Sequence, residues 1–413
     1  MKKRYLSMLL ALILTLALCG GVSAQEQVTL NLWHRWGGAT EEAVQEVIEA
    51  FEAANPDVKV EVTAKAGEYF ELLQSMIADA AAGNPLPDIF IGGYAMLNYI
   101  ADELNVVTVD QLAPSQEALD QVYGRYGDIL KVAAYKDQQI GLPYALSNMV
   151  MWVNMDLWAE AGLTEEDIPE TYEDLTKCLE QIVEKTGKNG ACLATNDNWI
   201  DQVLSMSHGG SIITEDQDHI SFNNDAVIGE MTWWQDLYNR GLSPKCTYTE
   251  MATMFYAGDV AVYCATIMNE STFQEYCNFE YRAWPMPAFE GYEKKLPVGG
   301  SALISFTQDP ERYAYTWRLM DFMSSDEAME IWATKSGYVC PTSAKTPTTV
   351  NQDVCLSQFP CCSNYLCWPG GSVGLEIDSI WTNARNAILH DGLDIAEKLA
   401  EIEEECNMLL ENA

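Results

Sequence analysis

Hydrophobic residues along the chain switch repeatedly between a period of two and a helical period. Residues 28–33 and 58–63 alternate apolar and polar side chains, which predicts strands. Residues 41–54 and 69–82 carry apolar side chains at helical spacing and run into Asn-Pro motifs, which predicts helices. Residues 87–93 then predict a buried strand. This β-α-β-α-β order predicts a mostly parallel sheet flanked by helices.

The same alternation recurs over the rest of the chain. It predicts strands at 149–153, 260–264 and 281–287, and helices at 172–186, 226–239, 312–323, 326–334, 377–389 and 393–409. The chain of 413 residues is longer than a single hydrophobic core usually organises. We therefore expect two α/β lobes, joined by several short crossings because no long linker or repeat is present.

The N-terminus has the features of a secretory signal peptide. Lys2, Lys3 and Arg4 precede an apolar run at 6–18, and small residues follow up to Ala24. The run is too short to predict a retained membrane anchor, which is the alternative. Residues 16–19 also resemble a lipoprotein box with Cys19 as the lipidated residue, but Leu18 departs from that pattern. We expect export to the periplasm or cell surface, with residues 1–24 removed.

Charge and cysteine content exclude several functions. The formal net charge of −38 disfavours nucleic acid and anionic membranes as partners, and mildly disfavours phosphorylated ligands. Eleven cysteines follow Ala24, so at least one thiol is unpaired. The four between 355 and 367 lack C-x2-C pairs and a nearby His, which favours a local disulfide or simple packing over zinc. We expect no metal and no cofactor.

Short segments spread over the chain resemble the solute-binding proteins of ABC importers. The resemblance is to the large sugar-binding family that includes maltose- and glycerol-3-phosphate-binding proteins. It follows from the order of residues 30–34, 51–56, 83–89, 141–144, 152–157, 255–262, 299–301 and 335–339.

The resemblance implies a fold and a function. It implies a two-lobed periplasmic-binding fold of type II, with one lobe at 25–146 plus 268–324 and the other at 147–267 plus 325–413. The lobes would close by a hinge over a neutral sugar or oligosaccharide, and the closed form would dock on a membrane permease. The expected partners are therefore the small-molecule sugar, the permease subunits and their ATPase, with the protein acting as a monomer.

Aromatic and planar polar residues at loop ends are the candidate ligand contacts. Sugar rings pack on flat aromatic surfaces, and sugar hydroxyls pair with planar donors and acceptors. His34, Arg35 and Trp36 follow the first predicted strand. Asp197 and Trp199 precede a predicted helix, at the position where sugar-binding relatives place a stacking aromatic; their alternative role is to cap and pack that helix.

The segment around Trp381 resembles the family segment whose tryptophan stacks on sugar. The alternative is an amphipathic helix that buries Trp381. In the glycerol-3-phosphate branch an arginine of this segment holds the phosphate, whereas here Asp378 stands at that position, which argues against a phosphate ligand.

Other cleft positions of the family fall on a mixed set of residues. Glycines there would bring backbone close to the ligand. The set comprises Tyr69, Gly93, Ser147, Asn269, Glu270, Gly300, Tyr338 and Trp368.

Two other functions remain as alternatives. One is an importer component for glycerol 3-phosphate or another polar solute; for an amino acid it would need an arginine to hold the carboxylate, for which Arg35 and Arg385 are candidates. A secreted carbohydrate-active enzyme would need a marked pair of carboxylates. No hydrolase elbow, H-E-x-x-H or phosphate loop is present in the sequence, so we expect a binding protein and not an enzyme.

Overall fold

The computed structural model describes residues 27–65, 67 and 69–412, so the predicted signal peptide and Cys19 lie outside the described residues. The strands are β1 (Val28–His34), β2 (Val58–Ala64), β3 (Ile89–Gly93), β4 (Ala134–Tyr135), β5 (Gln138–Gln139), β6 (Gly141–Ser147), β7 (Met149–Asn154), β8 (Asn189–Cys192), β9 (Val260–Thr266), β10 (Tyr281–Pro285), β11 (Leu296–Pro297), β12 (Gly299–Ser305) and β13 (Cys362–Ser363).

The α-helices that were predicted lie close to their predicted positions, whereas several shorter ones, such as Leu97–Glu103 and Val350–Gln358, were not predicted. The helix predicted at 172–186 has those bounds, because Thr171 caps its start and Gly187 ends it in the left-handed region. The helices are Gly38–Ala54, Tyr69–Ala81, Leu97–Glu103, Val109–Leu112, Gln116–Gly124, Met155–Glu160, Tyr172–Thr186, Asn198–Met206, Asp225–Asn239, Tyr248–Tyr256, Glu270–Tyr276, Tyr313–Met323, Asp326–Ser336, Val350–Gln358, Ser372–Asn386 and Ile395–Glu411.

The first lobe is built on a five-stranded sheet in the order β2-β1-β3-β12-β6. One face packs on the helices Gly38–Ala54, Tyr313–Met323 and Asp326–Ser336, and the core there includes Phe51 and Trp332. The other face packs on side chains of the helices that begin at Tyr69 and Leu97. This sheet therefore has helices on both faces and holds the ends of β3, β6 and β12 in one place.

The second lobe is built on a four-stranded sheet in the order β10-β7-β9-β8. The prediction of mostly parallel sheets is wrong here, because β7 pairs antiparallel with both β9 and β10. In the first sheet β12 is likewise antiparallel to β3 and β6, while β1 is parallel to β2 and β3. Local periodicity identifies strands but does not give the direction in which a strand from a distant segment enters a sheet.

Over the described residues the chain passes between the two lobes three times, and two of these crossings differ from the expected division. The first is Asn148, between β6 and β7, as expected. The second lies at 286–298, because β10 pairs with β7 of the second sheet. The third lies at 337–349, because the helix Asp326–Ser336 packs in the core of the first lobe. The expected crossings near 268 and 324 are therefore wrong.

All eleven cysteines of the described residues are unpaired, seven of them buried. Burial raises the pKa of most of these thiols, for example to about 12 at Cys264 and at Cys406. Within residues 27–65, 67 and 69–412, no three His, Cys, Asp or Glu side chains are placed to hold a metal. No helix in that part of the chain is long and apolar enough to cross a bilayer.

Candidate functional site

A cavity of about 230 Å³ lies where the two lobes meet. More open depressions on the surface, such as the one along the acidic face of the helix Gly38–Ala54, have no such aromatic lining. The cavity is lined by Arg35, Tyr69, Phe70, Gly93, Tyr94, Ala95, Ser147, Asn196, Asp197, Asn198, Trp199, Tyr248, Thr266, Met268, Val298, Gly299, Gly300, Tyr338, Tyr365 and Asp378.

The first-lobe wall is formed by Arg35, Tyr69 and Gly93. The guanidinium carbon of Arg35 lies 4.8 Å from the centre of the Tyr69 ring, in cation–π contact. The Arg35 Nε donates to the Gly67 carbonyl oxygen over 3.2 Å. A Cβ at Gly93 would lie 2.9 Å from the Tyr69 ring, so glycine is required where the ring packs on β3. This wall therefore places the Arg35 cation and the Tyr69 ring side by side at the cavity.

On the second-lobe wall, Trp199 is held from three sides. Its backbone N–H donates to the carboxylate of Asp197 over 2.9 Å, which starts the helix Asn198–Met206. Its indole Nε1 donates to the Pro297 carbonyl oxygen over 3.1 Å. A Cβ at Gly299 would lie 2.5 Å from the indole ring, so the ring rests directly on backbone. Trp199 is therefore a fixed aromatic surface at the cavity.

Asp378 places a carboxylate in the same wall. It accepts hydrogen bonds from the Trp368 indole Nε1 over 2.8 Å and from the Asn198 side-chain amide. Its own helix, Ser372–Asn386, carries it to the cavity. Among the described lining residues, two carboxylates, those of Asp197 and Asp378, face the single cation of Arg35. These charges favour a ligand that is neutral or cationic over an anion.

The end of the cavity beside the crossings is formed by Ser147, Gly300 and Tyr338. Ser147 and Tyr338 are buried by the surrounding lobes, with 1% and 4% of their surface exposed. Gly300 has a φ of 125°, and a Cβ there would overlap the Ala145 carbonyl oxygen. That oxygen also accepts a hydrogen bond from the Tyr94 hydroxyl over 2.9 Å. The backbone at Gly300 thus needs the conformational freedom of glycine.

Six of the expected contact residues do not line the cavity, and two of these belong to the first-lobe core. His34 is fully buried, its Nδ1 accepts the Trp36 N–H over 3.1 Å, and burial lowers its pKa to about 4. It is therefore neutral near pH 7. Trp36 packs 4.9 Å from the Trp332 ring and 5.9 Å from the Tyr338 ring. Both residues therefore support the first-lobe wall of the cavity from the core side.

Trp381 and Trp368 are also structural. Trp381 is fully buried, stacks on Phe222 at 4.4 Å and donates its indole N–H to Asp201 over 2.9 Å. The amphipathic-helix alternative is therefore the correct one for Trp381. Trp368 reaches Asp378 from outside the cavity. Arg385, a candidate carboxylate clamp, is fully buried in an ion pair with Asp201.

Asn269 and Glu270 lie close to the interlobe region but point away from the cavity. The Asn269 side-chain amide donates to the Tyr263 hydroxyl over 2.9 Å. The Glu270 carboxylate accepts from Thr349 over 2.6 Å and from Asn351 over 2.8 Å. Their hydrogen bonds therefore connect elements around the second sheet.

Several lining residues were not singled out as contacts from the sequence. Asn196 and Asn198 flank Asp197, and Tyr94 follows Gly93, so their neighbours in sequence were the available signal. Tyr248 and Tyr365 carry no local signal, because each reaches the cavity through the packing of a distant element. The remaining ones are Phe70, Ala95, Thr266, Met268, Val298 and Gly299.

A protein-family model and a curated relative of this chain both describe solute-binding proteins. The family model described as bacterial extracellular solute-binding protein matches residues 37–330. The sn-glycerol-3-phosphate-binding periplasmic protein UgpB of Escherichia coli strain K12 is 25% identical over 362 residues, covering 83% of this chain and 80% of that protein.

Solved structures are similar over almost the whole chain. The cyclic α-maltosyl-1,6-maltose binding protein of Arthrobacter globiformis has a TM-score of 0.77 and 20% identity, covering 94% of this chain and 100% of that chain. UgpB of Mycobacterium tuberculosis in complex with glycerophosphocholine has a TM-score of 0.81 and 18% identity, covering 93% and 98%. These similarities confirm the expected two-lobed α/β fold.

Proposed function

The chain belongs to the bacterial extracellular solute-binding proteins, and on that premise we propose that its interlobe cavity binds a neutral sugar for an ABC importer. The protein is a substrate-binding component, with the type II periplasmic-binding fold. In the proposed cycle the ligand bridges the two lobes, stabilises the closed form and is passed to the permease.

The observation that carries the proposal is the combination of aromatic and planar polar groups on the cavity wall. Trp199 and Tyr69 provide fixed rings on opposite lobes, and such rings suit the apolar faces of a sugar. Asp197, Asn196 and Arg35 provide acceptors and donors for hydroxyl groups. A ligand with an apolar ring face and a hydroxylated rim matches both kinds of group.

The second candidate is a sugar phosphate or glycerol 3-phosphate. It is favoured by the similarity to UgpB and by Arg35 at the cavity. It is disfavoured by Asp378 and Asp197, because a doubly charged phosphate would be placed among two carboxylates with one cation. We therefore rank the neutral sugar first.

The size of the cavity limits the ligand in this form of the protein. Its volume of about 230 Å³ is below the roughly 300–1,000 Å³ of pockets for drug-sized molecules. A single sugar ring, or the end of a longer chain, suits this space better than a fully enclosed oligosaccharide.

Calorimetric titration of the protein from Gln25 onward tests the proposal. Monosaccharides, disaccharides, sugar phosphates, glycerol 3-phosphate and amino acids are titrated in parallel. We expect a neutral sugar to bind, and Trp199→Ala to weaken that binding. Asp378→Asn should improve the binding of sugar phosphates, whereas Glu376→Gln, an equal charge change at an exposed site of the same helix, should not. Binding of phosphorylated ligands alone would contradict the proposal.

The cellular setting is also part of the proposal. Family members are extracellular or periplasmic, and we propose that this chain is exported, acts as a monomer without catalysis, and docks on a two-subunit permease. Mass spectrometry of the protein from its native host distinguishes cleavage after Ala24 from lipidation at Cys19. Turnover of a bound glycan would contradict the absence of catalysis.

A further inference from the structure

One helix touches all three crossings between the lobes. We call Val350–Gln358 the hinge helix; it packs on β10 and β7 of the second sheet. It carries three buried amide side chains, Asn351, Gln352 and Gln358, of which 6%, 5% and 1% are exposed. Buried amides are costly unless they are hydrogen-bonded, so their partners show what the helix holds in place.

Gln358 joins the first and second crossings. Its Nε2 donates to the Asn148 side-chain oxygen over 2.9 Å and to the Met149 carbonyl oxygen over 3.0 Å. Its Oε1 accepts the Met286 N–H over 2.8 Å. Asn148 in turn donates to the Cys355 carbonyl oxygen of the hinge helix over 2.8 Å. The single residue that links β6 to β7 is thereby held on both sides.

Gln352 reaches the third crossing. Its Nε2 donates to the carbonyl oxygens of Gly337 and Tyr338, over 3.3 Å and 3.4 Å. Tyr338 belongs to the core of the first lobe, so these bonds connect the hinge helix to the other lobe. The Val339 N–H also donates to the Leu146 carbonyl oxygen over 3.1 Å, which joins the third crossing to the first.

The lobes are in direct contact in this form of the protein. The Cys367 Sγ lies 3.2 Å from the Tyr94 carbonyl oxygen, and the Ser372 N–H donates to the Glu103 carboxylate over 3.3 Å. Opening the lobes requires backbone rotation at the crossings, which are the segments that link them. The Gly337 and Tyr338 carbonyl groups that Gln352 holds, and the Asn148 side chain that Gln358 holds, would then move relative to the hinge helix.

We propose that Gln352 and Gln358 are positioning residues that favour the closed arrangement of the lobes, and so raise ligand affinity without touching the ligand. The proposal rests on the proposed function for its ligand. Neither residue lines the cavity. Apparent affinity scales with the fraction of molecules in the binding-competent form, so losing these hydrogen bonds weakens binding through that fraction.

Asn351 provides a matched control on the same helix. Its Oδ1 accepts the Ala283 N–H over 2.9 Å, and its Nδ2 donates to Glu270 over 2.8 Å. Ala283 lies in β10, and Glu270 lies between β9 and β10 of the same sheet. These hydrogen bonds are as buried as those of Gln352 and reach only the second lobe, where Glu270 in turn accepts from Thr349, the residue that caps the hinge helix.

The test compares Gln352→Glu and Gln358→Glu with Asn351→Asp. Each change is nearly isosteric, keeps the side-chain acceptor and removes the donor. At Gln352 the kept oxygen also accepts the Thr349 N–H, so the capping box at the start of the hinge helix is retained. Gln352→Met, Gln358→Met and Asn351→Leu repeat the comparison without a new charge, which matters at Asn351 because its side chain contacts the Glu270 carboxylate. The measurements are ligand affinity by calorimetry, radius of gyration by small-angle X-ray scattering without ligand, and melting temperature.

We expect the Gln352 and Gln358 variants to weaken sugar binding about three- to tenfold and to enlarge the ligand-free radius of gyration. Asn351→Asp should lower the melting temperature and leave affinity within about twofold. If the Gln variants lower the melting temperature in the same way and change neither affinity nor scattering, the inference is wrong. Should no sugar bind, the ligand-free scattering still decides it, separately from the proposed ligand.

Discussion

Two tryptophans that look equivalent in the sequence should affect different properties when they are changed. We expect Trp381 to matter for stability and Trp199 for ligand binding. Trp381→Phe removes the indole N–H that Asp201 accepts in the second-lobe core. Asp201 keeps its ion pair with Arg385, so the change removes one hydrogen bond to a charged acceptor, worth about 1.5–3 kcal/mol, and we expect the free energy of unfolding to fall by that amount. The Phe222 stack is retained in large part, because phenylalanine keeps an aromatic ring at the position.

Trp199→Ala should instead weaken ligand binding. The indole is half-buried at the cavity, and its removal eliminates a ring surface worth about 0.5–1.5 kcal/mol of stacking, or roughly two- to tenfold in affinity. Loss of the Pro297 hydrogen bond and of the ring packed on Gly299 also lowers the stability of this variant, so the distinguishing result is the affinity, which we expect Trp381→Phe to leave unchanged.

Urea denaturation gives the free energy of unfolding, and calorimetry at a temperature where both variants are folded gives the affinity. The assignment of Trp381 to the core would be refuted if Trp381→Phe weakened sugar binding more than Trp199→Ala did, with stability unchanged.

Three further predictions concern buried groups. Burial lowers the pKa of His34 to about 4, so stability should fall as the pH drops from 6.5 towards 4, and His34→Asn should reduce that slope in denaturation curves. Burial raises the pKa of Glu230 well above 4.5, so the unfolded chain, in which Glu230 ionises, is favoured as the pH rises above 4.5. Glu230→Gln should therefore be increasingly more stable than the wild type above that pH. A stability difference that does not depend on pH would contradict this. Gly300→Ala should cost about 1–3 kcal/mol in urea denaturation, because the added Cβ meets the Ala145 carbonyl oxygen; wild-type stability would show that the backbone relaxes.

The elements that were predicted have local signals, whereas the strands β6 and β12 and the hinge helix were not predicted. Strand alternation and helix ends at Gly187 or Asn55 depend on residues that adjoin in sequence. The placement of β10 was not predictable, since its partner β7 lies more than a hundred residues away in the chain. Resemblance to a family gave the two-lobed fold, but the crossings depend on long-range packing.

The same distinction applies to the site. Arg35, Tyr69 and Trp199 follow strand ends or begin helices, and the structure places all three at the cavity. Trp36 and Trp381 have equally suggestive neighbours in sequence. Their rings are covered by Trp332 and Phe222, and no local pattern reveals a covering residue that is distant in the chain.

The reactivity of the unpaired cysteines reports how often the structure around each of them opens. Only the thiolate reacts with alkylating reagents, so buried thiols with raised pKa values react mainly when the surrounding structure opens. Cys264 lies in the second sheet, and Cys367 is buried at the contact between the lobes, beside the Tyr94 carbonyl oxygen. Alkylation rates at these two residues, followed by peptide mass spectrometry, would therefore compare the opening of the second-lobe core with the separation of the lobes without any introduced label.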